Sequence, residues 1–508
     1  MQKQVGVVLD GASPFRFPFK VEKDVAIPIH EYVTVDVGGR NVLAEVIRIG
    51  SRNPLVRENI AGTGIDGLEK YGFEVATAEV LGYLDDGDRI VRSKFSPKPN
   101  TPVFSSDDEV LQTYYRGDAS RMPVYLGSLV NRPNVMVPVF LQDLSFHLGV
   151  FAQTRGGKSY LAGALIEGIL EATHFPVIVI DIHGDYVMMD RLLESNQKHN
   201  LYDVSVYSPS GSMAINDVTA EQKQLSISPK QMTNEALAEL LGHLGPLQAI
   251  ALRDILKKFR DDNKPFGLAD VIAEIRQRLG PGVPNDVAKR LTSILARLED
   301  VEEEINLPPE GINVQEFLKP KKLSILCLRG LRSRIQDAYT GIIVDLLFRN
   351  HVKNFGDPRK APPAFIFIEE AHRVASGEGG NRYATKALST VIREGSKFGL
   401  YLGLISQRPR NIDQDIMANI GNYAVLRITN AQDQAIIENA SESFSHRMIN
   451  DLPALNQGEA VLVGPFVPLP AIVKISQRKT VHYGVTPNLL ERETRIKEEV
   501  ERERKEKW

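Results

Sequence analysis

The chain has 508 residues, 43% of them hydrophobic, with 61 Lys plus Arg against 64 Asp plus Glu and a formal net charge of −3. That length predicts several domains with sizeable cores, and the near balance of charge excludes a generally basic nucleic-acid binder, so any polyanion contact must come from a local patch. The single cysteine, Cys327, lies in an apolar run, which excludes an internal disulfide framework and fits a reducing, cytoplasmic compartment. No N-terminal stretch has the apolar length of a signal, and no run approaches the ~18 apolar residues of a membrane span.

In chain order, residues 1–100 carry short β-rich pieces (VGVVLD, YVTVDV, NVLAEVIRIG) broken by Gly, Asp and Asn, which predicts a small β-barrel or sandwich domain, a β-barrel being the first choice. Residues 101–145 read as a Pro- and Asp-containing connector. Residues 146–219 open an α/β core, in which the apolar run Leu148–Phe151 leads into a Gly-rich turn and then a helix-like segment, YLAGALIEGILEA. Residues 220–320 change to amphipathic helix periods punctuated by Pro and Gly, an inserted helical bundle between two strands. Residues 321–478 return to the α/β pattern, with strand candidates at 322–328, 364–368, 401–406, 423–428 and 459–463. Strands alternating with helices predict a parallel sheet covered on both faces. Residues 479–508 end in PNLLERETRIKEEVERERKEKW, whose Glu-first i,i+4 pairs predict a helical arm.

The turn after the first core strand reads AQTRGGKS, residues 152–159. Gly156 and Gly157 let backbone N–H groups curl around phosphates, Lys158 reaches the β/γ-phosphates and the Ser159 hydroxyl serves Mg²⁺. Thr154, Arg155, Gly156, Gly157, Lys158, Ser159 and Tyr160 are therefore the expected nucleotide-contacting residues. The usual opening Gly is replaced by Ala152, which must then hold an ordinary backbone conformation. A second buried-strand run, AFIFI, ends in Glu369 and Glu370, at the carboxyl end where α/β sheets bind ligands. One carboxylate suits the Mg²⁺ shell and the next suits polarising water; Glu369 stands at the metal side, where Asp is commoner, and Glu370 at the water side. The run ending at Asp181 offers either another metal-side acid or a loop-capping one. Gln407, at the end of YLGLIS, is placed to sense the γ-phosphate.

These motifs in combination, GVFAQTRGGKS, DIHGDY, IEEAHR, REGSKFG, ISQRP and LNQGEAVLVG behind a β-barrel, resemble the HerA ATPases, hexameric DNA translocases related to the FtsK and VirB4 motors. The resemblance covers most of the chain. It implies a RecA-like phosphate-loop α/β core, with ATP and Mg²⁺ as cofactors. It further implies a homo-hexameric ring that threads double-stranded DNA without a membrane and works with a NurA-type nuclease in archaeal double-strand-break repair and homologous recombination. The Glu-Glu pair is normal for that family. Arg393, in IREGSKFG, is the candidate arginine finger across a subunit interface, with Arg155 and Arg408 as competitors. Two basic clusters offer DNA contacts, Arg373, Arg382 and Lys386 in one and Arg329, Arg332 and Arg334 in the other; side chains in subunit interfaces are the alternative for each. A conjugation- or secretion-type motor and a non-motor ATPase scaffold for a nuclease are the rival functions.

Overall fold

Alternating apolar residues in the first part of the chain close a barrel. In the computed structural model, which describes residues 3–52, 72–87, 89–116, 118–213, 218–242, 244–376, 382–441, 444, 446–484, 493–494 and 496–498, its strands are β1 (Gln4–Val8), β2 (Arg16–Val21), β3 (Tyr32–Asp36), β4 (Asn41–Arg52), β5 (Phe73–Leu84), β6 (Ile90–Val91) and β7 (Pro102–Ser105). The order is β2-β1-β7-β3-β4-β5-β6, and the antiparallel pairing of β2 with β5 closes six strands, leaving β6 as an appendage. Phe17, Phe19, Val33, Val35, Val42, Ala44, Ala76, Ala78 and Val103 fill the interior. Closure satisfies the strand edges that an open sheet would expose.

The stretch 101–145, expected as a connector, is more structured than that. It contributes β7 to the barrel and then forms α1 (Asp108–Tyr114), β8 (Pro123–Leu129) and β9 (Arg132–Phe140). β7 is four residues long and begins with proline, so its pattern alone reads as a linker. The core strand β10 (Leu148–Phe151) and the helix α2 (Lys158–Ala172) follow.

The chain divides into two units, one of Met1–Ala172, Ala371–Glu378 and Ser389–Gln477, the other of Thr173–Glu370, Gly379–Leu388 and Arg478–Trp508. The second unit holds β11 (Val177–Asp181), β12 (Asp203–Ser208), β13 (Glu221–Gln224), the helices α3 (Asn234–Leu240), α4 (Pro246–Asp261), α5 (Leu268–Arg278) and α6 (Asn285–Glu304), then β14 (Lys322–Cys327), α7 (Ser333–Lys353) and β15 (Ala364–Ile368). Its strands run parallel in the order β13-β12-β14-β11-β15. Every residue of β11, β14 and β15 is buried, which is why these strands read as mainly apolar runs, with Lys322 and Ser324 in β14 and the terminal Asp181 of β11 as the polar exceptions. The helical insert is present. Leu252, Ile255 and Leu256 of α4, Val271, Ile272 and Ile275 of α5, and Ile294, Leu298 and Val301 of α6 are buried at helical spacing. Its helix starts are capped: the Thr233 hydroxyl accepts the Ala236 N–H at 3.0 Å, and Asp270 accepts the Gly267 N–H at 2.7 Å.

The chain continues through α8 (Arg382–Glu394), β16 (Leu400–Ser406), α9 (Gln414–Ala418), β17 (Asn422–Val425), α10 (Ala431–Ala440), α11 (His446–Asp451), β18 (Glu459–Val463) and β19 (Ala471–Ile475). In the first unit the strand order is β16-β10-β17-β18-β19-β8-β9. β16, β10 and β17 are parallel, as expected, while β17 through β9 are antiparallel throughout. The antiparallel extension departs from the all-parallel expectation: β18 and β19 follow one another through a short connection, which permits only that pairing. In the second unit residues 478–484 run back along 185–193, with Leu193, Val481 and Tyr483 N–H groups donating to Lys479, Arg191 and Asp185 carbonyls. Of the expected helical arm, Glu493–Thr494 and Ile496–Glu498 are helical, with Lys497 and Glu493 paired at 3.3 Å; the rest of 485–508 lies outside the described residues. Among the described residues no helix is long and apolar enough to cross a membrane.

His147, just before β10, is a buried node with φ 60°. Its Nδ1 accepts the Leu402 N–H at 3.0 Å, and Nε2 faces Ser396 Oγ at 3.3 Å. Burial pushes its pKa down to about 4, because the charged imidazolium loses its hydration there. The unfolded imidazole takes its proton near pH 6.5, so this residue's share of stability is lost as pH falls from about 6.5 to 4. His147→Gln removes the titration. The Tm gap between wild type and His147→Gln is expected to narrow between pH 7 and pH 5; a gap that stays constant overturns the assignment.

Candidate nucleotide site

The phosphate loop is built in the first unit. β10 is flanked by β16 and β17 in parallel register, so the loop leaving its end is anchored from both sides. Ala152 N–H donates to the Ser406 carbonyl at 3.3 Å, and Gln153 N–H to the Arg427 carbonyl at 3.0 Å. Thr429 Oγ1 adds a hydrogen bond to Gln153 Oε1 at 3.0 Å. Gly156 N–H closes the turn onto the Gln153 carbonyl at 2.9 Å, and α2 begins at Lys158. Ala152 keeps a negative φ, while Arg155 and Gly157 take φ of 63° and 93°. The departure from the usual opening glycine therefore costs no backbone strain. A Cβ on Gly156 would fall 2.9 Å from both the Ala152 methyl and the Gln153 carbonyl, so the loop needs glycine there for close approach. Arg155 holds a left-handed conformation without being glycine, at a cost of about 1 kcal/mol; such strain concentrates at functional turns.

Gln407 leaves the end of β16, and its Oε1 accepts a hydrogen bond from Thr154 Oγ1 at 2.7 Å. The structure thus brings the expected sensor glutamine onto the phosphate loop itself. Ser406 beside it is fully buried; its Oγ faces His372 Nδ1 at 3.1 Å and accepts the Arg408 N–H at 3.0 Å. His372 is a contact that sequence reasoning missed, although its place two residues after Glu370 in IEEAH is a usable signal.

The acids are built in the second unit. β11 and β15 pair in parallel with Ile180 opposite Ile368, and Glu369 N–H donates to the Ile180 carbonyl at 3.1 Å. Asp181 and Glu369 consequently stand at neighbouring strand ends. Asp181 is fully buried. Its Oδ1 accepts the His183 and Gly184 N–H groups at 3.1 and 2.7 Å, and its Oδ2 accepts the Tyr186 N–H at 3.0 Å. Of the two sequence readings, these are the contacts of the loop-capping acid. Burial pushes its pKa up to about 6, against the pull of the backbone donors. The loop turns Tyr186 back so that its hydroxyl donates to Glu369 Oε1. Burial, then the Glu369 charge, hold the Tyr186 hydroxyl well above its ordinary pKa, so it remains a donor. Glu370 is buried and carries a φ of 48°, a conformation that costs a non-glycine residue about 1–2 kcal/mol.

These residues suit Mg²⁺ and a nucleotide. The cation is hard, prefers oxygen donors, and is usually held by one or two side chains together with substrate phosphates. In the first unit Ser159 supplies a buried hydroxyl; in the second, Glu369 and Glu370 supply buried carboxylates, and each set by itself is of the oxygen-donor kind. Among the described residues there is no group of three or more His, Cys, Asp or Glu side chains able to cage a metal.

The arginines are distributed differently from the acids. Arg393, in the last turn of α8, is exposed, with Nε donating to the Ser389 carbonyl of its own helix at 3.2 Å. Arg155 and Arg408 are also exposed. One expected basic cluster is engaged within its own unit: Arg332 pairs with Asp300 at 2.8 Å and Glu304 at 3.0 Å, and Arg334 with Asp300 at 3.1 Å. In the other, Lys386 pairs with Glu235 at 3.1 Å between exposed side chains, a contact worth little in water. Arg373 is half-buried, and the Arg382 side chain lies outside the described residues.

The family described as "Helicase HerA, central domain" matches residues 124–347, from within β8 to within α7. Over most of its length the chain is similar to HerA helicases. The "DNA double-strand break repair helicase HerA" of Pyrococcus furiosus is 27% identical, aligned over 94% of this chain and 92% of the relative. The protein of the same name from Sulfolobus acidocaldarius is 26% identical over 92% of each chain. Among solved structures, VirB4 of Thermoanaerobacter pseudethanolicus has a TM-score of 0.52 at 14% identity, covering 70% of this chain and 96% of its own. The bacterial conjugative coupling protein TrwB has a TM-score of 0.50 at 15% identity, covering 75% of this chain and 95% of its own. At such identities these structures share this chain's mixed α/β fold, and the likeness says no more than that.

Proposed function

We propose that this HerA-like chain hydrolyses ATP to drive a ring of its own copies along double-stranded DNA, in DNA end resection and double-strand-break repair with a NurA-type nuclease. The observation that carries the reading is the closed phosphate loop with Gln407 tied to Thr154, in a chain aligned over nearly its whole length with HerA relatives. The Gly156–Ser159 turn and the start of α2 cradle the phosphates, with Lys158 as the main counter-charge and Thr154, Arg155 and Tyr160 bordering the nucleotide. Ser159 in the first unit would offer its hydroxyl to Mg²⁺ and Glu369 in the second its carboxylate, with Asp181 beside Glu369 shaping the loop that supports it. When bound, Mg²⁺ neutralises charge on the transferred phosphoryl group. Glu370 takes the proton of the attacking water, and Gln407 reports the γ-phosphate to the loop.

The VirB4 and TrwB likeness is one of fold, so it does not favour a conjugation motor over a DNA-repair one. A non-motor scaffold is separated from a motor by one measurement. Duplex DNA is expected to stimulate ATP hydrolysis by the full chain; a rate unchanged by saturating duplex overturns the motor reading. DNA contact is assigned to the segment after the carboxylate pair. Neutralising Arg373, Arg382 and Lys386 together should weaken duplex binding and flatten its log–log salt slope by about 0.9 for each phosphate that is no longer neutralised. Basal ATPase should survive, and an unchanged salt slope would move the DNA path elsewhere. The barrel, which carries no catalytic motif, is the proposed dock for the nuclease.

A further inference from the structure

Glu369 poses a positioning problem. The metal-side position at the end of such a strand is more often aspartate, whose shorter side chain has fewer orientations. Glutamate adds a rotatable bond, and its terminal torsion is broad. A carboxylate that must present an oxygen to a cation loses affinity if its plane wanders, because the freedom must be given up on binding. Something in this chain has to hold the longer side chain still.

The residue in place to do so is Tyr186. It is fully buried, and its hydroxyl donates to Glu369 Oε1. Its own placement is over-determined. The Tyr186 N–H is fixed to Asp181 Oδ2 at 3.0 Å. The turn before it is closed by the His183 and Gly184 N–H groups on Asp181 Oδ1, with Gly184 at a φ of 86°. From outside, the Tyr483 N–H donates to the Asp185 carbonyl at 3.2 Å, and a Cβ on Gly484 would fall 2.4 Å from Asp185 Oδ1. The returning segment therefore packs on the turn without space to spare. Asp181 fixes the turn, the turn fixes Tyr186, and Tyr186 engages one oxygen of Glu369.

We infer that Tyr186 is a positioning residue for the metal-side carboxylate: its hydroxyl fixes the plane of Glu369, so that the pair does the work a shorter aspartate does elsewhere. This rests on the reading of Glu369 as the Mg²⁺-side acid. Partners that orient a metal ligand commonly account for 10–100-fold in metal affinity or activity. Tyr186 acts through Glu369 and touches neither nucleotide nor metal in this assignment.

The test is Tyr186→Phe in the full chain, which deletes one oxygen and keeps the ring. Binding of a fluorescent ADP is measured in EDTA and then across a Mg²⁺ titration, with Glu369→Gln in parallel. The expected result for Tyr186→Phe is unchanged ADP affinity in EDTA, a Mg²⁺ midpoint raised on the order of ten-fold, and hydrolysis restored toward wild type by excess Mg²⁺. A midpoint that stays at the wild-type value while Glu369→Gln shifts it overturns the positioning role and leaves the metal-side reading standing. A midpoint that Glu369→Gln itself leaves unmoved overturns that reading, and the role of Tyr186 with it. Equal loss of ADP affinity with and without Mg²⁺ in Tyr186→Phe marks a packing role only, and also overturns the proposal.

Discussion

Lys158→Ala is expected to abolish ATP hydrolysis, and Glu370→Gln to retain nucleotide while stopping turnover. The two effects have different origins. Lys158 opens α2 at the end of the phosphate loop, and in its proposed role the ammonium would offset charge on the β/γ-phosphates in ground state and transition state alike. In that role its loss would weaken binding and remove electrostatic stabilisation, of which a single donor commonly supplies about 10²–10³ in rate. Glu370→Gln is nearly isosteric, keeps the backbone at its φ of 48° and removes only the capacity to accept a proton. General-base catalysis contributes about 10²–10⁴-fold, so phosphate release should fall by that much while fluorescent-ATP affinity stays within a few-fold of wild type. Measuring both on one preparation separates the roles. Near-normal phosphate release by Glu370→Gln would place the general base elsewhere.

The parts of this chain that are legible in sequence are those whose signal is local. β10, the Gly156–Ser159 turn and α2 lie within twenty-five residues, so strand, turn and helix can be read as one device. β11, β14 and β15 are buried along their whole length and show as apolar runs. The bundle helices advertise themselves by period. What is not legible depends on distant partners. β7 looks like a linker because its strandhood comes from pairing with β1 and β3. The hydrogen bond from Tyr186 to Glu369 joins residues 183 apart, and nothing near either residue announces it. The cluster of Arg329, Arg332 and Arg334 looks like a polyanion contact in sequence, yet Arg332 and Arg334 direct their charge to Asp300 and Glu304 from α6. A charge run gives its sign locally, while its partner is set by packing. Asp181 shows a third case, where its three backbone donors decide between two kinds of contact that the sequence leaves open.

Mixing Arg393→Ala subunits with Lys158→Ala subunits is expected to restore part of the hydrolysis that each variant lacks alone. The charge that develops on the γ-phosphate oxygens needs a cation beyond Lys158, and an arginine supplied to a phosphoryl-transfer site can be worth about 10³–10⁵ in rate. Arg393 is exposed at the end of α8, where its Nε donates to its own helix, so its terminal guanidinium nitrogens direct the search outward, to a neighbouring copy. In a cyclic ring every interface joins one copy's loop to the next copy's opposite face. If Arg393 acts there, a mixed ring contains interfaces in which an intact Lys158 meets an intact Arg393. At equal mixing with random assembly, about a quarter of interfaces carry both groups, and activity should approach that share when sites fire independently. Arg155 and Arg408 serve as the comparison, since an arginine acting on its own copy's nucleotide shows no rescue. Assembly must be verified by differential tagging and co-purification before rates are read. A verified mixture as inactive as either variant alone would assign Arg393 to its own copy's site or to structure, and would make Arg155 or Arg408 the residue to test next.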